Sequence, residues 1–176
     1  TVDHREPYWL YATAQDFGTL AGPSHNLANA DGISLADWHG VGGGEAGHIV
    51  ADPTDPDVVY AGEYLGYLSR YDHRSRQARN VSVYPENFSG HGIEKARVRF
   101  QWTAPVLLSP HDPKTLYHAG NSVLRSRDGG QSWTPISPDL TRSLNPAEIP
   151  IMGRVRPAGS IALRESTTAL SSIVSM

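Results

Sequence analysis

Cysteine is entirely absent from the 176 residues. That removes disulfide bridges, thiolate nucleophiles and cysteine-based zinc sites together, and it is compatible with any compartment. No apolar run approaches the roughly 20 residues of a membrane-crossing helix, so no membrane span is expected. A dominant charge is missing too: 15 Lys and Arg against 18 Asp and Glu leave a formal net charge of −3 at pH 7. The basic residues are scattered, without the aromatic-basic stripe that grips nucleic acid, which argues against DNA or RNA as partner. Eight histidines are present, but His25, His39, His48, His73, His91, His111 and His118 are dispersed without the short paired spacing of zinc ligands. No metal and no cofactor is expected.

What the chain does have is turn chemistry. Ser126-Arg127-Asp128-Gly129-Gly130-Gln131-Ser132-Trp133 combines short side chains that accept hydrogen bonds from their own turn, glycines suited to φ > 0, and an aromatic that opens the outgoing strand. It reads as a hairpin staple, with Ser126, Asp128, Gly130 and Trp133 structural rather than catalytic. The surrounding text recurs. Ile49-Val50-Ala51-Asp52-Pro53 with Val58-Val59-Tyr60-Ala61-Gly62 parallels Val106-Leu107-Leu108-Ser109-Pro110 with Leu116-Tyr117-His118-Ala119-Gly120, and Leu68 to Asp72 parallels Leu124 to Asp128. Ile49 to Val106 is an offset of 57 and Leu68 to Leu124 one of 56, close to the roughly 40 to 50 residues of blade repeats. In the earlier copy the turn after Asp72 has lost its glycines and tryptophan, a degenerate staple.

These units predict an all-β fold of four-stranded antiparallel meanders. Tyr8 to Thr13 reads as a strand followed by a turn at Gln15-Asp16-Phe17-Gly18, and Asp37 to Val41 as a closing strand. The grouping is three, four and four strands, with Ser160-Ile161-Ala162-Leu163 opening a further unit. The expected organisation is one body over 1–145 with boundaries near 46 and 103, and 146–176 as the start of a further unit or a poorly ordered tail.

The staple is similar to the Asp-box of sialidase-like and sortilin-like β-propellers. The stretch from Tyr8 to about Arg142 resembles the BNR-repeat proteins of the sortilin and xyloglucanase type, often labelled glycosyl hydrolases. The residues that carry the likeness are Pro7 to Tyr11, Gln15 to Gly18, Gly42 to Glu45, Asp52-Pro53, Asp55-Pro56, Phe100 to Pro105 and the Asp-box. The resemblance implies propeller blades, about three of them, hence an incomplete ring unless assembled with other chains. It also implies bacterial origin and a secreted or periplasmic location. Open sheet edges invite pairing, so self-association through the terminal blades is an expectation.

A propeller glycosidase needs two carboxylates, one protonated and one ionised. Asp16, Glu45 and Glu63 are the catalytic candidates, with Asp16 also readable as a turn-capping residue. In the xyloglucanase-like pattern Y-A-x-x-D-x-G, however, Tyr60-Ala61-Gly62-Glu63-Tyr64-Leu65-Gly66 places Tyr64 where the catalytic aspartate is expected, and Glu63, as an adjacent strand residue, points to the other face. Ligand-binding candidates are Trp102, Arg97, Arg99, His91 and Tyr64. Arg97 and Arg99 share one face if residues 97–102 are a strand, Phe100 and Trp102 offer aromatic faces, and His91 lies in the long 84–98 connection. The expected partner is a polysaccharide or glycan, bound and, in a longer protein, hydrolysed. The alternative is a sortilin-like scaffold that binds a protein or peptide without enzymatic activity.

Overall fold

A computed structural model of the chain describes residues 1–84, 96–142, 144–145, 148–151, 153–157, 160, 173 and 175–176. The fold is all-β. Strands β1 (Trp9–Ala14), β2 (Gly18–Pro23) and β3 (His39–Gly40) make a three-stranded sheet. A four-stranded sheet follows from β4 (Ile49–Ala51), β5 (Val58–Gly62), β6 (Leu68–Asp72) and β7 (Gln77–Asn80). A second one is built from β8 (Val106–Leu108), β9 (Leu116–Ala119), β10 (Val123–Ser126) and β11 (Thr134–Pro135). In each sheet the strand order is the chain order and every pairing is antiparallel. Among the described residues helical geometry is confined to short 3₁₀ turns such as Leu35–Asp37 and Tyr64–Gly66, and none is long and apolar enough to cross a membrane.

The second sheet is covered on both faces because β5 is apolar at every position, the pattern of a fully buried strand. Its side chains alternate. Val58 and Tyr60 join Leu68 and Val81 in packing against Val106 and Leu116 of the third sheet. Val59, with Tyr71, packs the other way against Tyr11, Ala21 and Val41. Burying each large aliphatic in these layers contributes about 1.5–3 kcal/mol.

The internal repeat is reproduced bond for bond. Val58 N–H donates to Asp55 O (2.9 Å) and Asp52 N–H to Val58 O (2.9 Å); 57 residues on, Thr115 N–H donates to Asp112 O (2.8 Å) and Ser109 N–H to Thr115 O (2.9 Å). The Asp-Pro segments are therefore the same strand-linking turn made twice. At the later staple, Ser126 Oγ accepts from Gly130 N–H (2.9 Å) and donates to Asp128 Oδ1 (2.8 Å), while Asp128 accepts from the Ser132 N–H (2.9 Å) and hydroxyl (2.6 Å). These bonds hold the Asp128 carboxyl at a pKa of about 2, the Ser132 hydroxyl contributing most. The degenerate copy keeps the carboxylate: Asp72 Oδ1 accepts from Arg74 N–H (2.8 Å), and Arg76 takes the left-handed backbone, φ +57°.

Three local expectations change. Residues 96–102 form no strand, so Arg97 and Arg99 do not alternate on a strand face; buried Phe100 pulls the segment across the third sheet against Leu124 instead. β5 ends at Gly62, and Glu63 begins a turn rather than continuing the strand. The hairpin of β12 (Pro150–Ile151) and β13 (Arg154–Val155) was not anticipated. Ile161, Ala162 and Leu163 lie outside the described residues.

Candidate functional site

Antiparallel meanders return the chain to one end of the stack each time it passes to the next sheet. The β1–β2 turn, the 41–48 link and the 101–104 segment meet there around an open cleft of about 450 Å³. Thr13 and Gln15, Glu45 and His48, and Trp102 and Thr103 line it.

Carboxylates build one wall. Glu63 sits at the N-cap of the Tyr64–Gly66 turn, where an acceptor side chain is favoured. Its Oε1 accepts from Tyr64 N–H (2.8 Å) and its Oε2 from Glu45 N–H (2.7 Å). A Cβ at Gly44 would coincide with the Glu63 carboxylate, so glycine there leaves the carboxylate its place. Glu45 in turn extends Oε2 to accept from Asp16 N–H at 2.8 Å. Asp16 occupies the left-handed region, φ +63°, which Asp tolerates better than most residues. Three candidates named from sequence are thus joined in one chain, Asp16 to Glu45 to Glu63. Asp16 contributes its backbone N–H to that chain, with Glu45 bracing the turn.

An aromatic shelf forms the other wall. Tyr64 and Trp102 stack with ring centroids 5.0 Å apart and planes 19° from parallel, and Trp102 is 50% exposed. Gln101 fixes the approach to Trp102 by donating its amide to Thr103 O (3.2 Å) and Oγ1 (2.8 Å). Under the Tyr64 turn, His118 is buried with one ring nitrogen 2.9 Å from Pro105 O and the other 3.2 Å from Gly66 O. Phe100 stacks on its ring at 4.7 Å. Desolvation pushes the His118 pKa below the ordinary imidazole value. The shelf therefore rests on a packed floor.

The other named residues lie elsewhere. Arg97 is exposed and places its guanidinium 4.9 Å over the Tyr84 ring. Arg99 donates to Asp139 Oδ2 (2.8 Å) and Thr141 Oγ1 (2.9 Å), and its N–H goes to Asn121 Oδ1 (2.8 Å). The Thr141 hydroxyl and N–H, with Arg99, hold the Asp139 carboxyl well below the usual range. His91 lies outside the described residues. Ser126, Asp128, Gly130 and Trp133 are not among the described cleft lining; the first three hold the hairpin turn, and Trp133 fastens the third sheet to the second.

Sequence reasoning missed Thr13, Gln15, His48 and Thr103, whose types carry no signature. It also missed the meeting of His39 and His73. Their ring nitrogens are 3.4 Å apart, and Tyr11 Oη lies 3.3 Å from His73 Nε2. Arg5 donates to Tyr11 Oη (2.9 Å) and Asp3 Oδ2 (2.6 Å). Burial, then the charges of Arg5 and His39, lowers the His73 pKa to about 4, and burial raises that of Tyr11 to about 12. Among the described residues no group of three or more His, Cys, Asp or Glu is placed to hold a metal ion. No protein-family model matches the chain, and no curated protein matches it.

Proposed function

We propose that the chain is a glycan-binding segment of a β-propeller, its three sheets being consecutive blades and its cleft the saccharide site. One observation carries the binding role: the exposed Trp102 face, backed by Tyr64, stands over a cleft whose other groups, Thr13, Gln15, Glu45, His48 and Thr103, are polar. A sugar ring presents an apolar C–H face and a rim of hydroxyls, and this pairing of flat aromatic with hydrogen-bonding groups suits both. The blade reading is supported by sequential meanders stacked face to face and by the repeated turns. Location outside the cytoplasm belongs to this proposal on the resemblance alone.

Binding without cleavage fits the carboxylates better than hydrolysis. Glu63 accepts two backbone N–H groups and Glu45 a third, so both carboxylates brace backbone on the same side of the cleft, whereas a glycosidase needs two carboxyls flanking the scissile bond. Retention of the chain on immobilised polysaccharides, combined with an assay for new reducing ends, tests this. Retention without release supports it; release of reducing ends overturns the binding-only reading, and no retention on any polysaccharide overturns the whole.

A protein-binding scaffold is the second reading, favoured by the 24–38 loop, where Leu27 and Leu35 are 84% and 92% exposed and Ile33 41%. Large apolar side chains gathered on one loop mark contact surfaces. Capture of one defined protein, lost with Leu27→Ser plus Leu35→Ser and unaffected by Trp102→Ala, would select it.

A further inference from the structure

We infer that the ligand of this cleft is a saccharide carrying free ammonium groups, an amino-sugar polymer with unacetylated nitrogens. The inference rests on the saccharide-binding role proposed above. Of the described residues that line the cleft, none is Lys or Arg, and Glu45 supplies a carboxylate. A second carboxylate, that of Glu63, lies one hydrogen bond behind it through Glu45 N–H. Arg97 places its guanidinium over Tyr84 and Arg99 donates to Asp139. Lining the same cleft is the half-exposed indole of Trp102, whose π face attracts cations more strongly than any other aromatic side chain.

Each class of sugar meets these groups differently. A uronic acid or sialic acid would bring its carboxylate against Glu45 with no guanidinium among the described lining residues to receive it. A neutral hexose gains the stacking on Trp102 and nothing from Glu45 beyond a hydroxyl contact. A glucosamine-type residue stacks the same ring face and sets an ammonium between the indole and the carboxylate, gaining both terms. Neither partner has to be desolvated fully, so the gain is modest and sensitive to salt.

Calorimetric titration of the chain with three oligomer series of equal length tests the assignment: glucosamine, N-acetylglucosamine and a uronic acid. The expected result is about tenfold tighter binding of glucosamine oligomers than of the acetylated series at low salt, narrowing toward parity by about 0.5 M salt. No binding of the uronic series is expected. Glu45→Gln, which keeps an acceptor for Asp16 N–H, is expected to abolish the preference while acetylated oligomers still bind. Trp102→Ala is expected to weaken both. Equal or tighter binding of the acetylated or acidic series overturns the inference and leaves the saccharide role standing. Binding of polylysine with none of any saccharide overturns both, as does the absence of all binding.

Discussion

The indole Nε1–H of Trp133 donates to the carbonyl oxygen of Val81 at 2.9 Å, joining the staple of the third sheet to the residue that leaves the last strand of the second. The ring also packs into both clusters that flank the third sheet. A single side chain thus fastens neighbouring sheets by area and by direction.

Trp133→Phe keeps most of the area and strands the Val81 carbonyl, so a loss of about 1–2 kcal/mol is expected. Trp133→Ala removes the ring as well and is expected to cost about 3 kcal/mol or more. Urea midpoints at constant m-value check both. An unchanged midpoint for the alanine variant contradicts the fastening role.

Asp128 links stability to acid. Its folded pKa, about 2, is depressed below the ordinary aspartate value by the Ser132 hydroxyl, the Ser132 N–H and the Ser126 hydroxyl. Its contribution is therefore complete above pH 4 and is lost as the pH falls through 2. Asp128→Ala is expected to lower the thermal midpoint at pH 7, with the gap from the parent closing between pH 4 and pH 2. A gap independent of pH contradicts the carboxylate bonds.

His73 acts over a higher window. Its folded pKa of about 4 lies below the ordinary imidazole value of 6.5, with burial the largest cause and Arg5 and His39 adding repulsion. The folded state resists protonation, so stability is full above pH 6.5 and declines toward pH 4. His73→Gln is expected to flatten that decline, read from urea midpoints across the range. If the slope is as steep without the imidazole, the cluster around Tyr11 is not its source.

Gly44 carries the geometry of the cleft. Any Cβ there must displace the Glu63 carboxylate, freeing the N–H groups of Glu45 and Tyr64 that it now caps. Gly44→Ala is expected to cost about 1–3 kcal/mol and to weaken saccharide binding together with it. A variant as stable as the parent shows that the wall can rearrange.

The strands of the second and third sheets were legible because their signals are local: β-branched and aromatic runs, Asp-Pro turns and a double-glycine hairpin each specify nearby backbone. The repeat located equivalent turns before any pairing was known. The segment from Arg97 to Trp102 was misread because its alternation mimics a strand, while tertiary packing of Phe100 against Leu124 and His118 decides its course. Within the cleft, Glu45, Glu63, Tyr64 and Trp102 could be named, yet their roles could not. That Glu63 caps a turn and Tyr64 supports an indole depends on where β5 stops, at Gly62, a boundary that sequence marks poorly. The pairing of His39 with His73 joins residues 34 apart, one in β3 and the other in the turn after β6, and has no sequence signal.

Saccharide affinity of the parent chain against Trp102→Ala, measured by retardation in gels containing soluble polysaccharide, tests the central proposal most directly. The account predicts clear retardation of the parent and at least a tenfold weaker interaction for the variant, with an unchanged urea midpoint because the ring is half exposed. Equal retardation of the two proteins would contradict it.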